Sequence, residues 1–270
     1  MKGALPLRHA LALGVLHGPT ELLPVSSSAH TTLVPWLLGW PYEELDGELR
    51  KAFEVSLHAG TALALLIGLR DEVGAAARGM DTRRAVLIAG SFVPPAIAGL
   101  ALERPIEQRL GTPTSIAWGL IAGATTLVAA DLLAPRHRHR DDTTIADALA
   151  LGLAQACALV PGVSRNGATL TAGRLRGFRR RDANVLSRHV ALPVIVGATL
   201  LKGTRLARRG LPPELVGAFA VGAGASFAST LASVRVIRAV ERERPFVPWA
   251  AYRAALGVLV LRRACDNRAR

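Results

Sequence analysis

Four stretches of this sequence, Ala85 to Leu102, Leu110 to Ala130, Ala148 to Ser164 and Leu215 to Val234, contain no charged residue, while arginines crowd the intervals between them. A helix rises about 1.5 Å per residue and a hydrocarbon core is about 30 Å thick, so runs of this length suit membrane-spanning helices. Half of the residues are hydrophobic and mean hydropathy is +0.31, although 20% of the chain is charged. That combination requires charge to be segregated along the chain, which a soluble helical bundle would not ordinarily show. The expected fold class is an all-α polytopic membrane protein forming one integral membrane domain over residues 1–270.

Aromatic residues make up only 4% of the chain, and Ala, Gly, Leu and Val dominate, so the helices are expected to pack through small side chains. A net charge of +13 invites a nucleic-acid reading. The Arg and Lys residues sit at the ends of apolar spans, however, where positive loops orient a membrane protein and meet anionic head groups. Nucleic acid is therefore excluded as a partner, and membrane lipids are expected instead. Cys157 and Cys265 lie far apart and imply neither a disulfide framework nor a metal pair. The short apolar stretch from Ala10 to Leu16 runs into a polar motif, so no cleaved signal peptide is expected.

Loop charge suggests an orientation. Tyr42 to Arg50 is acidic and Glu103 to Arg109 balanced, whereas Arg70 to Arg84 and Arg136 to Arg140 are arginine-rich and expected on the cytoplasmic side. Spans are predicted at Phe53 to Leu69, Ala85 to Leu102 and Ser115 to Ala134. Two further apolar regions are broken. Leu11 to Trp40 is interrupted by Gly18, Pro19, Glu21, Pro24, Ser26, Ser27, Ser28 and His30, and Leu149 to Arg174 by Pro161, Gly162, Ser164, Arg165, Asn166 and Gly167. Broken backbone at membrane depth is tolerated only where protein buries it or it lines a watery cavity.

The two broken regions also resemble each other. Gly14, His17, Pro24, Val25 and Ser26 overlay Gly152, Gln155, Pro161, Val163 and Ser164 with one single-residue gap, and Gly60-Thr61-Ala62-Leu63 has a counterpart in Gly197-Ala198-Thr199-Leu200. This pattern predicts two inverted-topology repeats, over roughly residues 1–134 and 145–262, each with a re-entrant broken helix pair. About six full transmembrane helices are expected beside them, with the two tips meeting near the midplane to build one site.

The first break places Glu21, Ser26, Ser27, Ser28 and His30 within ten positions. A Ser hydroxyl attacks only when a base accepts its proton, and His30 or Glu21 can do so. A helix cap and turn would need only Ser and Pro, not ionisable residues inside an apolar region, where they are costly. The second break combines Arg165 with Ser164, Asn166, Gly167 and Thr169 just before a helix, as a phosphate cradle does. The neighbouring Arg174, Arg176 and Arg179 to Arg181 are expected to snorkel outward. Glu54 and His58 share a helix face and either line the cavity or pair with each other. His137 and His139, alternating with arginines, are expected on a solvated surface.

The stretches Glu21-Leu-Leu-Pro-Val-Ser-Ser-Ser-Ala-His30 and Pro161-Gly-Val-Ser-Arg-Asn-Gly-Ala-Thr169 resemble the two signature motifs of the bacitracin-resistance type of undecaprenyl-diphosphate phosphatase, and Phe53-Glu-Val also matches in place. The resemblance runs through nearly the whole chain. It implies removal of the terminal phosphate of undecaprenyl diphosphate, regenerating the carrier lipid for cell-wall synthesis, at the outer face of the bacterial plasma membrane. It also implies a divalent cation, Mg2+ or Ca2+, a polyprenyl diphosphate lipid as substrate, and a homodimer as a candidate assembly.

Carried over by position, Glu21, Ser27, His30 and Arg165 are the expected catalytic residues, with Glu21 also a metal ligand. Ser26, Ser164, Asn166, Gly167 and Thr169 are expected to bind substrate, with His17, Glu54 and His58 behind them. The chain departs from the family pattern at His17, where Glu or Gln is usual, at Ser28-Ala29 in place of Thr-Gly, and at Asn166 in place of Ser. In the expected reaction Ser27 attacks phosphorus or positions water, His30 moves the proton, and Arg165 holds phosphate. The rival reading is a prenyl-phosphate transporter, which would share the inverted repeats and the arginine cradle without needing Ser27 as nucleophile.

Overall fold

The computed structural model describes residues 5–42, 44–240 and 244–268. Among them are eleven α-helices: α1 (Leu7–Leu22), α2 (Ser27–Leu38), α3 (Gly47–Gly68), α4 (Arg70–Arg78), α5 (Thr82–Leu110), α6 (Pro113–Leu133), α7 (Ile145–Cys157), α8 (Arg165–Leu175), α9 (Arg180–Arg209), α10 (Pro213–Val240) and α11 (Val247–Arg268). Four of them combine the length and apolarity needed to cross a bilayer, at Thr82–Leu102, Pro113–Leu133, Arg180–Arg208 and Pro213–Val234. The chain is an all-α, multi-pass membrane protein.

The sequence led to an expectation of about six crossing helices. That number is reached by adding α3 and α11, each 22 residues long. Both are long enough but charged at one end. Glu48, Arg50, Lys51 and Glu54 occupy the start of α3, while Arg262, Arg263, Asp266 and Arg268 close α11. The predicted span Ala85 to Leu102 falls inside α5, and Phe53 to Leu69 and Ser115 to Ala134 fall on α3 and α6, each running one residue past the helix end. Large apolar residues such as Ile97, Leu100 and Trp118 face outward on these helices, a surface suited to lipid rather than water. By contrast α1, α2, α7 and α8 have 16, 12, 13 and 11 residues, and none reaches across about 30 Å alone.

The helix contacts come in matched pairs. The first broken segment packs α1 on α10, and the second packs α7 on α5; α3 lies against α10 as α9 lies against α5; α6 and α11 pack on each other, as do α3 and α9. The same small residues mediate equivalent contacts. A Cβ at Gly14 would stand 2.7 Å from the Ala225 Cβ and 3.1 Å from the Ser226 nitrogen of α10, and one at Gly152 would stand 2.8 Å and 3.0 Å from the Gly90 and Ser91 carbonyl oxygens of α5. His17 then bonds Ser226, and Gln155 donates to the Ser91 carbonyl at 3.1 Å. Helices that lack a hydrophobic drive to associate gain by such close backbone approach.

Arg174 does not snorkel outward as expected. It is fully buried, with its Nε 3.1 Å from Asp131 Oδ1, and its other donors reach the carbonyls of Asp131, Ala134, Pro135 and Phe178. Arg180 adds a two-point contact to the same carboxylate at 2.7 and 2.9 Å, and Phe246 N–H completes it. Arg176 likewise pairs with buried Asp147, which Arg138 also grips. The reason is one of partners: each buried carboxylate pairs with two arginines, and Arg174 is buried with its partner. Replacing Asp131 by Ala strands a buried guanidinium, and is expected to cost roughly 3–5 kcal/mol, read as a lowered thermal midpoint of the detergent-solubilised protein.

Candidate active site

Both breaks end on a serine with positive φ. Ser26 has φ 74° and precedes α2; Ser164 has φ 67° and precedes α8. Among the described residues they are the two non-glycine positions in that region of backbone space, which costs an L-residue roughly 1–3 kcal/mol. Each repays part of that cost by capping its own helix. Ser26 Oγ accepts from Ala29 N–H at 3.4 Å, and Ser164 Oγ from Gly167 N–H at 3.2 Å.

Two consecutive residues of α11 hold the breaks in place. Tyr252 Oη lies 2.7 Å from His30 Nε2, and His30 Nδ1 lies 2.7 Å from the Ser26 carbonyl oxygen. Arg253, fully buried, donates to the carbonyls of Gly162 at 3.1 Å and Val163 at 2.7 Å. One break is thus braced by an aromatic hydroxyl through a histidine, the other directly by a guanidinium.

The tips meet. Arg165 of α8 donates to Glu21 Oε1 of α1, and Ser27 Oγ donates to Glu21 Oε2. His58 of α3 approaches the same oxygen at 3.9 Å. A second tie joins the breaks where Asn166 Nδ2 donates to the Leu22 carbonyl at 2.6 Å, its own Oδ1 accepting from Ser187 at 2.9 Å. Above this junction opens a cavity of 380 Å³ lined by Glu21, Ser26, Ser27, Ser164, Arg165 and Asn166. Its size falls within the roughly 300–1,000 Å³ of small-molecule sites.

The other residues named from the sequence divide between the cavity and its support. Glu54 and His58 line the wall. His17 lies one turn below Glu21, edge-on to the His58 ring with centroids 4.6 Å apart. His30 does not line the cavity, and both its ring nitrogens are engaged by Ser26 and Tyr252. Gly167 sits against Arg253 with its N–H spent on the Ser164 cap, and a side chain there would meet the guanidinium 2.7 Å away. Thr169 is buried, its hydroxyl 2.6 Å from Ser187 Oγ and 3.0 Å from the carbonyls of Arg165 and Asn166. These three therefore shape the breaks from behind.

Four contributors escaped the sequence reading: Arg50 and Lys51, which line the cavity, and Tyr252 and Arg253. Of these Lys51 carried a usable signal. Lys51, Glu54 and His58 recur at helical spacing, so extending the Glu54–His58 face back one turn reaches Lys51.

A sequence model of the family described as bacitracin resistance protein BacA matches residues 10–259, from within α1 to within α11. The chain belongs to the BacA family. As a BacA member it carries both breaks and their α11 brace inside the matched region. It is 39% identical over 271 residues to a Geobacter sulfurreducens protein named undecaprenyl-diphosphatase, covering 94% of this chain and 97% of that one. Proteins of the same name from Geobacter metallireducens and Pelobacter propionicus are 37% and 38% identical, each match covering 94% of this chain and 96% of the relative.

Arg253→Leu leaves two buried carbonyls at the second break without donors. The variant is expected to lose roughly 1–3 kcal/mol of stability, measured by thermal unfolding in detergent.

Proposed function

We propose that this protein hydrolyses undecaprenyl diphosphate to undecaprenyl phosphate and inorganic phosphate, recycling the carrier lipid for cell-wall synthesis. The observation that carries the reading is the pairing at Glu21: a serine hydroxyl donates to one carboxylate oxygen and an arginine from the other broken segment to the other. The names borne by relatives of matching length supply the substrate. A transporter would have no use for the Ser27–Glu21 contact, and that alternative is not favoured.

The chemistry follows from the contacts. A diphosphate head group entering the cavity meets Arg165, Arg50 and Lys51, while its prenyl chain stays in the bilayer. Phosphate oxygens compete for Arg165, which now holds Glu21, and the guanidinium's fork suits two oxygens at once. Glu21, relieved of that partner, takes the proton of Ser27. The Ser27 oxygen forms a bond to the terminal phosphorus as the bridging P–O bond breaks, and undecaprenyl phosphate leaves. Water then releases phosphate from the serine. Positioning and charge neutralisation carry most of the catalysis in such transfers. His30 acts at one remove, fixing the Ser26 carbonyl and hence the start of α2.

The reading includes a location in the bacterial plasma membrane with the cavity open to the extracytoplasmic side. The acidic stretch before α3 and the arginine-rich stretches around α4 and after α6 support that orientation. It also includes construction from two inverted repeats, over roughly residues 1–134 and 145–262, supported by the paired helix contacts and the paired serines. A divalent cation belongs to the reading as well. Mg2+ and Ca2+ favour cages of oxygen ligands. The candidate donor cluster here is His17, Glu21 and His58, two imidazoles and a single carboxylate, and it does not fit such a cage.

Phosphate release from undecaprenyl diphosphate by the detergent-purified protein tests the proposal. Ser27→Ala, Glu21→Gln and Arg165→Ala should each lower the rate by about 10²-fold or more. A well-folded wild type that releases none would sink it. Tyr252→Phe, which removes the hydroxyl from His30, is expected to lower kcat by about 10-fold with little change in KM, measured in the same assay.

A further inference from the structure

His17, Glu21 and His58 bring three ligand atoms within 4.8 Å of one another beside the cavity. His17 and Glu21 are four residues apart on α1 and share a face, and α3 supplies His58 from across the helix interface. His58 lines the cavity, so a bound ion would face the incoming ligand.

The decisive residue is His17. It is 1% exposed, and its Nε2 is buried with no hydrogen-bond partner, which is costly for a polar atom in such a place. The opposite nitrogen is held in detail. Nδ1 lies 3.0 Å from Thr61 Oγ1 and 3.2 Å from Ser226 Oγ. Ser226 has one proton and donates it to the Leu57 carbonyl at 2.9 Å, so towards His17 it acts as acceptor. The proton of the neutral ring is thereby assigned to Nδ1, which leaves the lone pair of the unpartnered Nε2 available to a cation. A histidine pinned through one nitrogen and open at the other is how proteins prepare a metal ligand.

We infer that His17, Glu21 and His58 form a site for a borderline transition cation of the zinc class. Two imidazoles and one carboxylate with an open fourth position are the donor set of catalytic zinc centres, whereas Mg2+ and Ca2+ seek oxygen. Each carboxylate oxygen has two lone-pair directions, so an ion on Glu21 does not require loss of the Ser27 contact. The inference rests on the hydrolase reading only for what the ion would face.

The test uses the protein in detergent, stripped by chelator and titrated with Co2+, whose visible absorption strengthens in a four- or five-coordinate site, with Zn2+ content measured after equilibrium dialysis. The expected result is about one equivalent of Co2+ per chain, displaced by Zn2+ and unaffected by an equal or modestly larger concentration of Mg2+ or Ca2+. His17→Gln and His58→Gln should each weaken uptake by at least about 10-fold, while Ser27→Ala retains it. His58 is partly exposed, so His58→Gln provides a variant with less risk to folding, and thermal unfolding without metal checks both. Absence of stoichiometric uptake, uptake indifferent to both histidines, or displacement by equimolar Mg2+ or Ca2+ would overturn the inference. Phosphate release without Co2+ or Zn2+ uptake leaves the hydrolase standing and removes this site; uptake without phosphate release does the reverse.

Discussion

The ion pair between Glu21 and Arg165 is the contact on which the rest of the site depends. Each residue lies at a broken helix, in surroundings where an unpaired charge would be expelled or neutralised. Removing one partner of a buried pair typically costs about 3–5 kcal/mol, because the other remains desolvated. The pair therefore fixes the distance between two segments separated by more than half the chain, and Asn166 on the Leu22 carbonyl fixes their register. Ser27 can address Glu21 only because α1 and α2 are held apart by that same break.

Behind the pair stands a bundle built from small residues. Gly14 on α10 and Gly152 on α5 allow each broken segment to sink against a long helix until side chain meets backbone. In hydrocarbon this closeness replaces the hydrophobic drive available in water. The polar side chains that survive inside it, such as Thr61, Ser226 and Thr230, bond one another and brace His17. Buried charges follow the same rule, Asp131 and Asp147 each satisfied by two arginines.

The sequence exposed those parts of the architecture that violate local expectation. Ionisable residues and prolines inside an apolar run cannot face lipid, so Glu21, Ser27 and Arg165 stand out in the sequence itself. The uncharged spans were legible for the same reason. What stayed hidden depended on distant pairing. Arg174 looks like any arginine at the end of an apolar span, and only Asp131, 43 residues earlier, turns it inward. Tyr252 and Arg253 resemble interfacial residues of the last helix until the breaks they support are seen in space. His30 stands three residues from Ser27, and only the folded chain shows that both its ring nitrogens are engaged, by the Ser26 carbonyl and by Tyr252 from a distant helix.

The two serines with positive φ carry one further consequence. Their backbone is held in an unfavourable shape partly by each serine's own helix cap and partly by Tyr252 and Arg253 of α11. Neither break is at rest by itself, and each is kept cocked by the rest of the bundle. Loss of either anchor, the Tyr252–His30 contact or the Arg253 guanidinium, leaves a strained turn with one fewer restraint, so a helix far along the chain completes the geometry of segments that precede it.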